Sequence, residues 1–149
     1  MRDVRFSTAV ANAKVAAVTG MLDGGWVLVY DGERPASAAQ DPDPRCALLA
    51  RLQFGVPAFE PPARGRAEAR PFRPCVGEVF GTPTWFRAST ARGEAAFDGT
   101  VGPRAGGVGD APREDWAREV QFDMYVDGDV HEGGEVAVES FAYVEDLRS

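Results

Sequence analysis

The stretch Trp26-Val27-Leu28-Val29-Tyr30 decides the fold class, because it is the clearest β-strand signal in the chain. Its side chains are β-branched, aromatic or aliphatic, the types that strands favour. Asp23, Gly24 and Gly25 supply a turn directly before it, and the proline-containing stretch 31–45 follows it. A short strand between two turns is a typical unit of a β-rich domain.

Similar punctuated segments follow along the chain. In 46–54, alternate residues from Leu48 to Phe54 are apolar and share one face, while Arg51 and Gln53 lie on the other. The remaining predicted strands are 76–80, 84–90, 94–101, 119–126 and 135–144, with a short hairpin turn at 91–93. Seven or so short strands between Gly and Pro turns predict a mainly β fold, specifically a jelly-roll-like antiparallel β-sandwich.

One short α-helix is predicted before the first strand, after an N-terminal arm (1–6). Good helix formers run from Ser7 to Leu22, and Ser7 or Thr8 is the expected N-cap. Apolar residues recur there at helical spacing. They are Ala11, Val15, Val18 and Leu22.

The composition limits the class of protein. A chain of 149 residues predicts a single domain, 1–149. Seventeen Gly and 11 Pro argue against an all-α fold, since each one inside a helix costs about 1 to 3 kcal/mol. A net charge of −7 makes nucleic acid an unfavourable partner. No apolar run approaches the roughly 20 residues of a membrane span, so we expect no membrane association.

The first residues and the cysteines indicate the compartment. Met1, Arg2 and Asp3 open an amphipathic segment without the features of a signal peptide, so the cytoplasm is the expected place of synthesis. Cys46 and Cys75 are too few for a disulfide framework and lack a CxxC partner for zinc. We expect two free, mostly buried thiols.

No residue pattern predicts catalysis. His131, the single histidine, lies in an acidic turn, and no Ser or Cys has a nucleophile-elbow pattern. Asp127, Asp129 and Glu132 supply oxygen ligands without the order of a Ca²⁺-binding loop, so a polar hairpin loop is the better interpretation. The glycine-rich stretch 102–115 lacks the Lys-Ser/Thr of a phosphate-binding loop and is predicted to be a mobile loop. We therefore expect no enzyme, no cofactor and no metal site.

Three tryptophans offer an alternative function. Trp26, Trp85 and Trp116 are candidate stacking platforms for a carbohydrate- or ligand-binding β-sandwich module. Trp85 and Phe86 point to opposite faces of their strand, so we expect one in the core and one exposed for contact.

Charge is unevenly distributed along the chain. Residues 1–109 carry a net charge of +2, whereas 110–149 carry −9. In one domain this asymmetry favours oriented association with a partner or with copies of the chain. The alternative is that alternating strands simply place their charges in water.

A proline- and arginine-rich insert, about 55–75, interrupts the strand pattern. Its prolines cannot lie in a central strand, so we expect a long ordered excursion. Its guanidinium groups suit carboxylates on a partner, and its aromatic rings suit anchoring. The alternative is a solvated loop that Phe and Pro residues pack onto the sheet. The candidate partner contacts, in the N-terminal arm and in the insert, are Arg2, Arg5, Phe6, Arg64, Arg66, Arg70, Phe72 and Arg73.

Short motifs in a fixed order resemble those of small virion proteins of tailed bacteriophages. They are spread over most of the chain. They are Val29–Gly32 (VYDG), Pro35–Ala38 (PASA), Leu48–Leu52 (LLARL), Gly81–Arg87 (GTPTWFR), Asp98–Gly102 (DGTVG), Glu132–Val136 (EGGEV) and Val138–Phe141 (VESF).

This resemblance implies a non-enzymatic capsid cement or decoration protein with a jelly-roll-like β fold. Its partners would be the major capsid protein, whose shell it binds from outside, and itself, as a homo-oligomer (trimer or dimer). Its location would be the capsid exterior of the virion, after assembly in the host cytoplasm. A neck or tail protein of the virion is the alternative. The chain departs from the family in 57–74 and 102–115, where insertions often carry partner-specific contacts.

Overall fold

The computed structural model describes residues 7–102, 124–126 and 128–144, except for the side chain of Glu139. In this part of the chain there is one helix, α1 (Thr8–Gly20). The strands are β1 (Trp26–Tyr30), β2 (Leu48–Gln53), β3 (Arg66–Glu68), β4 (Trp85–Ser89), β5 (Ala95–Gly102), β6 (Met124–Val126) and β7 (Val138–Val144). The N-terminal arm, residues 103–115 of the predicted loop and 119–123 of a predicted strand lie outside the described residues.

The described strands form one mixed, curled sheet in the order β2-β1-β4-β5-β6-β7-β3. Neighbours are antiparallel except for β5 and β6, which run parallel with Val101 opposite Met124. The mainly β class with one short helix is confirmed. A jelly-roll sandwich is not confirmed, because these strands belong to a single sheet shaped like half a barrel.

Backbone hydrogen bonds bring the two edges of the sheet together. Residues 58–60 follow β2 at one edge and reach β3 at the other. Glu60 N donates to Glu68 O (2.8 Å), and Arg70 N donates to Ala58 O (2.9 Å). Because the sheet curls, backbone N–H and C=O groups next to β3 are hydrogen-bonded to 58–60. These hydrogen bonds also protect the edge of β3, which would otherwise be open to pairing with another chain.

β3 lies inside the insert, where the sequence predicts an excursion without a strand. Ala67 is buried while Arg66 and Glu68 are exposed, and Arg66 lies opposite Val144 of β7. Three residues are too few to show an alternating pattern among the five prolines of 55–75. Only the pairing with β7 identifies this strand.

α1 confirms the predicted N-terminal helix. Ser7 is its N-cap, because its Oγ accepts a hydrogen bond from Val10 N (3.2 Å). Ala11, Val15 and Thr19 are buried, and the helix packs on β3 and β7. Val18, predicted for the buried stripe, is only half-buried, because the buried residues repeat every four positions.

The core is rich in phenylalanine. The ring of Phe141 lies 5.0 Å from that of Phe86, 5.6 Å from Phe59 and 6.1 Å from Phe54. Such pairs contribute about 0.5 to 1.5 kcal/mol each beyond the area they bury. Phe141 therefore links β7 to β4 and to the chain that follows β2.

β2 confirms the predicted second strand, with one irregularity. Val29 lies opposite Ala50 whereas Tyr30 lies opposite Leu48, so Leu49 is an extra residue in a β-bulge. The bulge explains why the consecutive residues Leu49 and Ala50 are both buried.

The turn between β4 and β5 confirms the predicted hairpin. Thr90 N donates to Glu94 O (2.9 Å), and Gly93 N donates to Thr90 O (2.9 Å). Gly93 has a φ of 86°, which lies in the left-handed region that favours glycine. β5 and β7 fall within or next to the predicted strands 94–101 and 135–144.

Two strand-level predictions are wrong. Residues 76–80 form isolated bridges, at Val76 and Gly77, instead of a strand. Trp85 and Phe86 are both buried, since β4 lies between β1 and β5 and all of its residues are buried. Phe86 belongs to the core, and Trp85 on the opposite face is covered by the ring of Tyr30.

Candidate binding surfaces

The arginines of the insert do not form one patch of free cations. Arg66 is ion-paired with Glu68, and Arg70 Nη1 lies 3.6 Å from Glu60 Oε1. Arg64 and Arg73 have no carboxylate partner among the described residues. The predicted contacts Arg2, Arg5 and Phe6 lie outside the described part of the chain.

Phe72 connects the insert to the core. Its ring lies 5.0 Å from that of Phe54 and is stacked at 6.2 Å on that of Phe141. The residue is half-buried, so part of the ring is committed to packing and part remains accessible. Phe72 therefore packs the insert onto the sheet, as the alternative interpretation of this segment predicts.

A groove lies between the insert and the chain leading into β7. We call it the insert groove, and it measures about 390 Å³. The structure brings three predicted contacts together in its lining: Arg70, Phe72 and Arg73. Sequence reasoning missed the opposite wall, 135–138, because nothing in the sequence links it to the insert.

A second surface consists of exposed apolar side chains, which we call the 76–80 ridge. Val76, Val79 and Phe80 are 55%, 45% and 61% exposed. Scattered apolar side chains are common on protein surfaces. Three large ones within five residues form a patch, and exposed apolar patches are typical of binding sites. The sequence predicts a strand with a buried face here, so this exposure is visible only in the structure.

The ridge is held firmly although it is not a strand. Gly77 N donates to Gly134 O (2.8 Å), Glu78 N to Leu49 O (2.8 Å) and Gly81 N to Val130 O (2.9 Å). A Cβ on Gly77 would overlap the carbonyl oxygen of His131, so the close approach of these backbones requires glycine. The ridge is thus presented in a fixed conformation.

Trp85 is unavailable as a sugar-stacking platform. It is 1% exposed, its ring stacks on Tyr30 at 4.5 Å, and its Nε1 donates to Asp31 O (3.0 Å). Trp26 is half-buried, and Trp116 lies outside the described residues. The tryptophan-based interpretation therefore loses one of its platforms.

The same face of the sheet holds a buried ion pair. Arg87 Nε and Nη2 donate to the two carboxylate oxygens of Asp98 at 2.7 and 3.0 Å. These hydrogen bonds raise the pKa of Arg87. Burial raises the pKa of the Tyr30 phenol, against the opposing effects of Arg87 and Arg51. Arg87, Asp98 and Tyr30 are buried, so we assign them a structural role.

The acidic turn shows no ion site in the part that the structure describes. Asp129 accepts a hydrogen bond from Thr82 Oγ1 (2.8 Å), and the exposed His131 ring lies 5.1 Å from that of Phe80. Asp127 is outside the described residues. Among those described, no three His, Cys, Asp or Glu side chains are grouped to hold a metal.

The two cysteines are free and half-buried. Burial raises the pKa of the Cys75 thiol, and the nearby Glu78 acts in the same direction. A raised pKa reduces the fraction of thiolate, which is the nucleophilic form.

Within the described residues, no helix is both long and apolar enough to cross a membrane.

Comparisons with protein-family models, with curated proteins and with solved structures found no match.

Proposed function

We propose that this chain is a structural protein of a tailed-bacteriophage virion, a cement or decoration protein that binds the outside of the major capsid protein shell. In this proposal it has no enzymatic role, acts as a homo-oligomer, and moves from the host cytoplasm to the capsid exterior during assembly. The jelly-roll-like sandwich implied by the resemblance belongs to the same proposal.

Five of the seven motifs that carry the resemblance lie on or next to strands of the sheet, whereas Pro35–Ala38 and Glu132–Val136 lie in the connections between strands. Val29–Gly32 ends β1, Leu48–Leu52 is most of β2, and Gly81–Arg87 leads into β4. Asp98–Gly102 is the second half of β5, and Val138–Phe141 begins β7. The placement of these five motifs on paired strands supports a shared framework, and the insert contributes the edge strand β3 to the same sheet.

The observation that carries a docking role is the 76–80 ridge. Because the backbone of the ridge is already fixed, its apolar side chains lose little conformational entropy on binding. More of the free energy gained by burying them therefore contributes to affinity. A protein that binds only the assembled shell stabilises it by mass action. Many copies, each contributing modestly, raise the temperature at which the shell ruptures.

The test uses purified protein and purified shells of the encoding phage that lack it. We expect the wild-type chain to co-sediment with shells at micromolar concentration. Phe80→Ser removes a large exposed ring and should weaken binding about tenfold, equivalent to roughly 1.4 kcal/mol. Met21→Ser is the matched control, because Met21 is a 59% exposed apolar residue at the end of α1.

Failure of the wild-type chain to bind shells would contradict the proposal, and equal losses in both variants would contradict the role of the ridge. Copy number in whole virions separates the two virion locations. A shell coat requires hundreds of copies, whereas a neck or tail ring requires about six to twelve.

A further inference from the structure

The insert groove is closed at both ends. Ala69 N donates to Phe141 O (2.8 Å) at one end, and Val136 N donates to Cys75 O (3.2 Å) at the other. Between these two points the insert backbone bonds to the other side instead, since Arg70 N donates to Ala58 O (2.9 Å) and Arg73 N donates to Gln53 O (3.3 Å). Because the two walls are joined at both ends, the guest that we consider is one side chain or a chain end that enters from outside.

The groove has an apolar floor inside a polar rim. Leu52 and Phe141 are buried, and the half-buried ring of Phe72 lies beside them. Pro71 and Pro74 form part of the wall, and their fixed φ angles stabilise its shape without a guest. A volume of about 390 Å³ accommodates one large apolar side chain together with its backbone.

Of the two arginines in the lining, only Arg73 lacks an ion pair with a described carboxylate. Glu68 is paired with Arg66, and Arg70 with Glu60. Arg73 has no carboxylate within 4.0 Å among the described residues, and Glu135 on the opposite wall has no described cation. A guest carboxylate is therefore favoured on the insert side and disfavoured beside Glu135.

We propose that the insert groove is an anchor site for a partner protein that presents a large apolar side chain next to a carboxylate. The apolar side chain fills the space over Phe72 and Phe141, and the carboxylate pairs with Arg73. The identity of the partner, the shell protein, rests on the proposed function. The binding chemistry rests on the groove alone.

The first test titrates the full chain with N-acetyl-L-phenylalanine and with its amide, followed by NMR. We expect saturable shifts in 69–75 and 136–141 at millimolar concentration, with the amide about fivefold weaker because it lacks the charge. Arg73→Gln should reduce binding of the acid to that of the amide, and Glu135→Gln should strengthen it. Arg64→Gln is the matched control, since Arg64 likewise has no carboxylate partner among the described residues but lies outside the groove lining.

The absence of saturable shifts, equal affinity for acid and amide, or an equal effect of Arg64→Gln would overturn the proposal. A blocking variant, Ala137→Trp, places a large ring at an exposed position of the wall and should abolish binding of the probe. Ala36→Trp, in an exposed loop, is its control.

The same blocking variant separates this inference from the proposed function. If Ala137→Trp loses probe binding but still binds shells as the wild type does, the groove is not the shell contact and the inference fails, while the docking function stands. If wild-type protein binds the probe but not shells, the docking function fails and the binding chemistry of the groove stands. A solution mass that falls only in Ala137→Trp would assign the groove to a second copy of the chain and overturn the shell partner.

Discussion

At the scale of single residues, the pair Arg87 and Asp98 shows how the face of the sheet opposite the phenylalanine core is held. Its side chains are 8% and 6% exposed, and the guanidinium lies 5.7 Å from the ring centre of Trp85. Removing one partner of a buried pair leaves an uncompensated charge. A polar network of this kind specifies how β4 and β5 register on each other.

We expect Arg87→Met to lower the free energy of unfolding by about 3 to 5 kcal/mol, measured by urea denaturation. The double variant Arg87→Met/Asp98→Leu should recover part of the loss, because no charge stays unpaired. Arg51→Met is the control. Its ion pair with Glu78 is 3.0 Å long but 56% and 42% exposed, and such pairs contribute at most about 1 kcal/mol. Similar losses in Arg51→Met and Arg87→Met would contradict this account.

Tyr30 gives the expected response to alkaline pH. Burial raises its pKa above the ordinary value of 10.0, so the folded state retains the phenol proton more strongly than the unfolded state. The associated stability is present below pH 10.0 and is lost as the pH rises through the folded-state pKa. The free energy of unfolding, measured from pH 8 to about 11, should therefore fall less steeply for Tyr30→Phe than for the wild type. Parallel curves would show that the pKa of Tyr30 is the same in the folded and unfolded states.

At the scale of elements, α1 depends on its cap as well as on its buried residues. The helix has no acidic residue in its first turn, so Ser7 supplies its N-terminal side-chain acceptor. Its buried residues, Ala11, Val15 and Thr19, have small side chains that bury limited apolar area. The local capping interaction is consequently a sizeable part of what orders the helix on β3 and β7.

Ser7→Ala should lower the free energy of unfolding by about 1 kcal/mol, because Val10 N loses its acceptor. Thr8→Ala, at the neighbouring exposed position, should change stability by less than about 0.5 kcal/mol. Thermal unfolding followed by circular dichroism measures both. An unchanged midpoint for Ser7→Ala would mean that packing alone orders the helix.

The elements also show where sequence patterns succeed. β1, β2, β4 and the turn at 91–93 are predicted because each combines a short apolar run with nearby Gly or Pro signals. β3 escapes prediction because its three residues carry no period. The 76–80 ridge has the composition of a strand but does not form one, since Gly77 N donates to Gly134 O while the next residue, Glu78, donates to Leu49 O of β2.

At the scale of the whole molecule, the joining of the sheet edges creates both candidate surfaces. It places the insert against the chain before β7, and the insert groove lies between them. It also places 75–81 beside β2, where Glu78 N donates to Leu49 O. Arg70, Phe72 and Arg73 were candidate contacts from the sequence. Their partners across the groove are about 65 residues away in the chain, a separation that local patterns do not register.

The sequence by itself determined the mainly β class, the helix with its cap, most strand positions and the arginine-bearing insert, because these depend on the backbone preferences and side-chain periodicity of neighbouring residues. The tertiary structure alone decided that the described strands form one curled sheet, that both faces of β4 are buried, and which arginines pair with a described carboxylate. Those properties depend on which distant segments meet, and that choice is set by satisfying edge hydrogen bonds and buried charges across the whole molecule.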